Sequence, residues 1–179
     1  MEGVQEVTTE RLVLRGWRAS DHEALAAINA DAEVMRWIGS GRVLGRGFSD
    51  DLIARFEGEW REHGFGLWAV SWRDDPEREL LGFCGLTLPA FLPETLPAAE
   101  IGWRLARAAW GRGVATEAAR AALAFGWERG LREVVAVVAP ENTRSLRVVE
   151  KLAMTPRPDR YLASARRRVN VFGVLAPER

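Results

Sequence analysis

Trp110-Gly111-Arg112-Gly113-Val114-Ala115-Thr116-Glu117-Ala118 is the stretch on which the fold of this chain turns. Two glycines within three residues run into an alanine-rich segment, which reads as a tight turn opening a helix. The first turn of a helix has N–H groups with no intrahelical acceptor, and the helix dipole adds partial positive charge there. A pyrophosphate is well suited to such a place. Gly111 and Gly113 lack a Cβ, so they can take unusual φ values and let a bulky anion lie against the main chain. The preceding Glu100-Ile101-Gly102-Trp103-Arg104-Leu105 alternates like a half-buried strand. Strand, glycine turn and helix together suit a nucleotide-type cofactor, and they also suit a plain tight strand–helix connection.

Spacing narrows the choice. No Gly-Lys-Ser/Thr follows the turn, which speaks against a P-loop and Mg-nucleotide chemistry. No third glycine closes the helix against a strand, so the dinucleotide fingerprint fails as well. The Gly113-x-Ala115 pair resembles the acyl-CoA loop of the GNAT N-acetyltransferases. Trp110 stands where that superfamily usually has Gln or Arg. In this the loop resembles the ribosomal-protein-alanine (RimJ/RimL-like) acetyltransferase subgroup, where Trp-Gly-x-Gly-x-Ala-Thr-Glu-Ala is common. Further segments carry the same resemblance: Thr9 to Arg15, Glu33 to Ile38, Gly64 to Val70, Leu81 to Leu86, and Asn142 to Ser145 with Glu150-Lys151-Leu152. It runs from about Thr8 to Met154 and departs at Ala153, where glycine is usual. The tail after Met154 is hard to align.

Composition fits a single globular domain over residues 1–179: 47% hydrophobic and 28% charged residues, with a formal net charge of zero. That balance gives no reason to expect nucleic acid or an anionic membrane as partner. Lys151 is the only lysine. Cys84 is alone, which rules out an intramolecular disulfide and a Cys-rich metal framework. His22 and His63 lack ligand spacing, and no metal site is expected. Met1 to Glu10 is unlike a signal peptide, and no run approaches the ~20 apolar residues of a membrane span. A cytoplasmic protein, monomeric or homodimeric, is the expectation.

The chain reads as one α/β domain with a mixed central sheet flanked by helices. Strands are expected at 8–18, 66–72, 80–88, 99–105, 134–138 and 169–175. A first helix with Leu25, Ile28 and Ala32 inward begins at a Ser20/Glu23 capping box and ends near Trp37. A loop bearing Gly39, Gly41, Gly45 and Gly47 follows. Ser49-Asp50-Asp51 opens a second helix with Leu52, Ile53, Phe56 and Trp60 on its apolar side. The helix after the glycine turn runs from Val114 to Arg129, burying Val114, Ala118, Ala121, Ala122 and Phe125. Asn142 or Thr143 caps a short helix through Leu146, Val149 and Leu152. Residues 156–176 read as tail, beginning with Pro156 and Pro158 and ending in the strand at 169–175.

Acetyl transfer from a thioester to an amine needs a route for the amine proton, polarisation of the carbonyl, a proton for the thiolate, and alignment of the two substrates. Strand alternation puts Glu100, Gly102 and Arg104 on one face, with Gly102 leaving room beside Glu100. Glu100 is the candidate base and acceptor contact, or else a strand-edge carboxylate paired with an arginine. Cys84, mid-strand among apolar residues, reads as a buried structural thiol. The resemblance implies acetyl-CoA as cosubstrate and a primary amine acceptor, a protein N-terminus or a small molecule. It implies cofactor contacts from Arg104, Leu105, Trp110, Gly111, Arg112, Gly113, Val114, Ala115, Thr116, Asn142 and Ser145. Ser145 is the implied proton donor; Tyr161, the chain's only tyrosine, is the other candidate. Arg107 and Arg112 flank the phosphate turn and could neutralise its charge. Trp37, at the end of the first helix, offers an apolar wall to the acceptor. The rival readings are a polyamine or antibiotic acetyltransferase, a non-catalytic acyl-CoA-binding protein, and RNA binding through Arg166-Arg167-Arg168. Zero net charge and the lack of an aromatic RNA motif oppose the last.

Overall fold

The alternating Leu12 and Leu14 form the expected first strand, but in two pieces, β1 (Val7–Thr8) and β2 (Leu12–Arg15). The structure, a computed structural model, describes residues 4–75, 77, 79–162 and 167–178. What interrupts the strand is a turn closed by Thr9, whose Oγ1 accepts from the Leu12 N–H at 2.9 Å and donates to Glu117 at 2.6 Å. Arg11 binds the same carboxylate through its backbone and its guanidinium.

Three more elements differ from expectation. Ser20 makes no side-chain cap; its neighbour Asp21 instead accepts from the Arg18 N–H and from both Nη atoms of Arg15, the latter at 2.7 and 2.9 Å. The first helix is split into α1 (Asp21–Ala30) and α2 (Ala32–Met35), because Asp31 is extended and caps α2 through the Glu33 N–H. This break leaves Ala32 exposed rather than inward. Helix α3 (Arg46–His63) starts earlier than its expected Ser49, which is fully buried inside it, donates to the Gly45 carbonyl and accepts from Asn29. Leu52, Ile53, Phe56 and Trp60 are its buried side, and Gly64 ends it with φ +71.

The remaining elements are β3 (Leu67–Trp72), β4 (Gly82–Thr87), β5 (Ala99–Leu105), α4 (Val114–Glu128), β6 (Glu133–Val138), α5 (Thr143–Lys151), β7 (Thr155–Leu162) and β8 (Arg167–Leu175). Strand β7 forms where Pro156 and Pro158 suggest only a tail. It lies at the sheet edge, where a missing N–H costs the ladder least. The mixed sheet has the order β1-β2-β3-β4-β5-β6-β8-β7. All its pairings are antiparallel except β5 with β6.

One core brings α4 and α5 together with Trp68, Val70, Cys84, Leu86 and Ile101. A second brings α1, α2 and α3 together with Leu67, Ala69 and Phe83. Helix α4 packs closely through Ala118, Ala119 and Ala122, while Ala121 is half-buried. What positions the site is a defect in the sheet. Strands β5 and β6 pair only at Ala99–Val134 and Glu100–Val135, and then part. The last five residues of β5 therefore have a sheet neighbour on one side only, β4.

Candidate active site

Beyond the point where β5 and β6 part lies a cavity of about 370 Å³. The end of β5 lines it with Trp103, Arg104 and Leu105; the turn and first residues of α4 line it with Trp110, Gly111, Gly113, Val114, Ala115 and Thr116. Helix α5 and its cap add Asn142, Arg144, Ser145, Arg147 and Lys151, and α2 and its end add Glu33, Val34 and Trp37. Most residues singled out in the sequence thus meet in one place.

Gly111 has φ 71° and Gly113 has φ 81°, both in the left-handed region. A side chain is strained there. No side chain caps the start of α4, so its first N–H groups stay available toward the cavity. Trp110 anchors the turn by donating its indole N–H to the Leu105 carbonyl at 2.9 Å, and its ring carries the Arg144 guanidinium at 4.5 Å. Arg144, Arg147 and Lys151 place positive charge along the facing helix. The sequence draws attention to Arg107 and Arg112 and away from these three, although their i, i+3 and i, i+4 spacing after Asn142 is a legible signal.

Arg107 and Arg112 are occupied elsewhere. Arg112 stacks on Trp72 at 4.4 Å, and Arg107 donates to Asp31 at 2.6 Å. Neither is among the residues lining the cavity. The Arg112 side chain, expected at the cofactor, thus lies over Trp72 and does not line the cavity.

Asn142 caps α5, accepting from the Ser145 N–H at 3.2 Å. The Ser145 hydroxyl accepts the Trp103 indole N–H at 3.3 Å, leaving its own proton free to donate. Tyr161 lies in β7 opposite Arg168, outside the gap between β5 and β6; its side chain and residue 166 fall outside what is described. Trp37 is half-buried, lines the cavity, and carries the Arg36 guanidinium 5.0 Å from its ring.

Glu100 is half-buried at the parting point and does not line the cavity itself. It faces the same side of β5 as Gly102, where a Cβ would meet nothing within 4 Å. Loss of hydration, reinforced by the charge of Glu59 on α3, pushes its pKa up to about 8. Glu59 is also raised by burial, and its Oε2 has no hydrogen-bond partner. Nothing in the sequence places it beside Glu100. Arg104 is held by Asn29, its Nη1 donating to Oδ1 at 2.6 Å, and lies over the Phe83 ring at 5.1 Å. Cys84 is fully buried, with its thiol pushed up to about 12 by burial, which denies it a nucleophile's role. Among the described residues no three His, Cys, Asp or Glu side chains gather as a metal site would need, and no helix is long and apolar enough to cross a membrane.

A mixed sheet that opens beside a glycine turn, with an uncapped helix start and a cationic helix across the gap, suits a phosphate-bearing ligand. The chain belongs to the acetyltransferase (GNAT) domain family, which matches residues 11–155, and it is an N-acetyltransferase. It is 32% identical to the uncharacterised protein YkkB of Bacillus subtilis over 161 residues, 86% of this chain and 87% of that one. A GNAT-family acetyltransferase from Bacillus anthracis shares the fold with a TM-score of 0.79 at 25% identity, over 97% of this chain and 100% of that one. RimL, a ribosomal L7/L12 alpha-N-protein acetyltransferase solved with coenzyme A, shares the fold at a TM-score of 0.76 and 17% identity, over 96% and 98% of the two chains.

Proposed function

We propose that the protein transfers acetyl from acetyl-CoA to a primary amine by direct attack within a ternary complex, with no covalent enzyme intermediate. The observation that carries this reading is the uncapped start of α4 behind left-handed Gly111 and Gly113, facing Arg144, Arg147 and Lys151 across one cavity. First-turn amides and three cations suit the phosphates of CoA. The carrier's arm then runs along the unpaired end of β5, past Arg104 and Leu105, toward Ser145.

Glu100 is the base in this reading. A carboxylate with a pKa near 8 can take a proton from an amine near neutral pH far better than an ordinary glutamate. Ser145, its oxygen lone pair engaged by Trp103, supplies the proton to the leaving thiolate. Trp37 forms the acceptor's apolar wall opposite the carrier loop. A free protein N-terminus is among the fitting acceptors, in keeping with the RimJ/RimL-like motif at 110–118. Calorimetry with CoA, followed by acetyl-CoA consumption across N-terminal peptides, polyamines and aminoglycosides, tests the proposal. CoA binding with N-acetylated product from one amine class is the expected result; no CoA binding by the folded protein overturns it.

A further inference from the structure

Among the described residues Arg15 is wholly buried and Arg104 half-buried, and of these two only Arg15 has a counter-ion. Arg15, wholly buried, meets Asp21 with two hydrogen bonds. A buried guanidinium ordinarily needs such a partner. Arg104 does not have one. Among the described residues it makes one side-chain hydrogen bond, to the neutral Asn29, its Nε is buried without a partner, and no carboxylate lies within ion-pair distance. Burial, reinforced by the like charge of Arg55, lowers its pKa to about 10.

This guanidinium is held in place. Its Nη1 is gripped by Asn29, which is wholly buried and donates to Ser49 at 2.9 Å; Ser49, equally buried, donates to the Gly45 carbonyl at 3.2 Å. The Phe83 ring supports one face of the ion. A half-buried cation fixed in this way, with its Nε unpartnered, gains from an anion that binds beside it. Arg104 lines the cavity, so an anion bound there reaches it.

The phosphates of the carrier have their own place at Gly111, Gly113 and α5. Arg104 stands on β5 with Gly102 and Glu100 on the same face, and the position above Gly102 is empty. At about 3.3 Å per residue, the Cα atoms of Glu100 and Arg104 are ~13 Å apart, a span that both long side chains shorten from opposite ends. An amine directed at Glu100 and an acidic group directed at Arg104 fit over Gly102 together.

We infer that Arg104, positioned by Asn29 and left without a protein counter-ion, recognises a carboxylate on the amine acceptor. The acceptor is then amino-acid-like: a primary amine with an acidic group a few bonds away. This rests on the amine-acetyltransferase reading above. The same chemistry is offered by the α-carboxylate of a free amino acid and by an acidic side chain at a peptide N-terminus.

The test measures acetyl-CoA consumption with free α-amino acids against their C-terminal amides, and with peptides beginning in Asp or Glu against Asn or Gln. Wild type should favour the acid over its amide by about tenfold or more in kcat/KM, in whichever of the two series supplies the acceptor. Arg104→Gln should collapse that ratio towards one, and Arg104→Lys should restore part of it. The ratio cancels any general loss of activity. A wild-type enzyme that acetylates amides as well as acids overturns the inference while leaving amine acetylation standing. An acid-to-amide ratio that survives in Arg104→Gln also overturns it, and points to the carrier or the carbonyl as the guanidinium's target. If Arg104→Gln does not fold, the wild-type ratio decides alone. Failure to acetylate any amine removes the parent reading itself.

Discussion

Glu59 on α3 and Glu100 on β5 set like charges against each other at the parting point of the sheet, and the Glu59 charge helps hold the Glu100 proton on. If Glu100 is the base, kcat/KM should rise as pH passes up through about 8, where the carboxylate forms. Glu59→Gln removes the repelling charge, so that limb should move to lower pH. A pH–rate profile of the two proteins checks this; an unmoved limb separates Glu59 from the titrating group.

Glu100→Gln keeps shape and removes basicity. It should lower kcat by roughly 10²-fold or more with CoA affinity nearly unchanged. The same variant carries a stability signature. An unfolded glutamate releases its proton near pH 4.3, whereas native Glu100 keeps it to about 8. Between those values the native state binds the extra proton, so wild-type stability falls as pH rises. The Tm of Glu100→Gln relative to wild type should therefore increase from about pH 5 to about pH 8. A constant difference across that range would place the titration elsewhere.

If the turn holds the carrier's phosphates, Gly113→Asp should weaken CoA binding, because it adds a carboxylate to the turn, on a Cβ that would lie 3.2 Å from Arg11 Nη2. The left-handed φ of Gly113, at 81°, strains any side chain placed there. Asp and Asn tolerate that region better than other residues. Gly113→Asn is thus the matched control, uncharged and equally strained. Calorimetry should find CoA binding weaker by about tenfold or more for Asp than for Asn.

Trp37→Ala should raise the acceptor KM several-fold and leave CoA affinity alone. Trp37 lines the cavity and is not among the side chains packed against either large core, so Tm should change little. A marked fall in Tm with KM unchanged would make it a packing residue.

Asp21→Ala should destabilise the fold by about 3–5 kcal/mol, since it strands Arg15 without its carboxylate in the core. Urea unfolding measures it, and a change under about 1 kcal/mol would mean that water or the Gly16 carbonyl replaces the lost partner.

Much of this fold is legible in the sequence because its signals are local. The glycine turn, the apolar run 134–138 and the Asn142 cap are each written within a few residues, and each forms where expected. The failures share a cause. Ser20 reads as a cap only until Arg15 claims its neighbour Asp21, and Pro156 and Pro158 forbid a strand only until β7 is known to lie at an edge. At the site, periodicity puts Glu100, Gly102 and Arg104 on one face. Glu59 and Asn29 reach that face from other elements, 41 and 75 residues away in sequence from Glu100 and Arg104 respectively, and no short-range pattern records it.

The parting of β5 from β6 also bears on how the molecule breathes. Past Glu100, the amides of β5 that turn away from β4 have no ladder partner, so they should exchange with deuterium quickly compared with those of β3 and β4. The pantetheine arm of CoA carries two amides of its own and can lie in that gap as a surrogate strand. Hydrogen exchange at residues 101–105 should then slow on CoA addition, while the fully paired β6–β8 ladder is little changed. With carrier in place the open end of β5 would then have a partner on its second side as well.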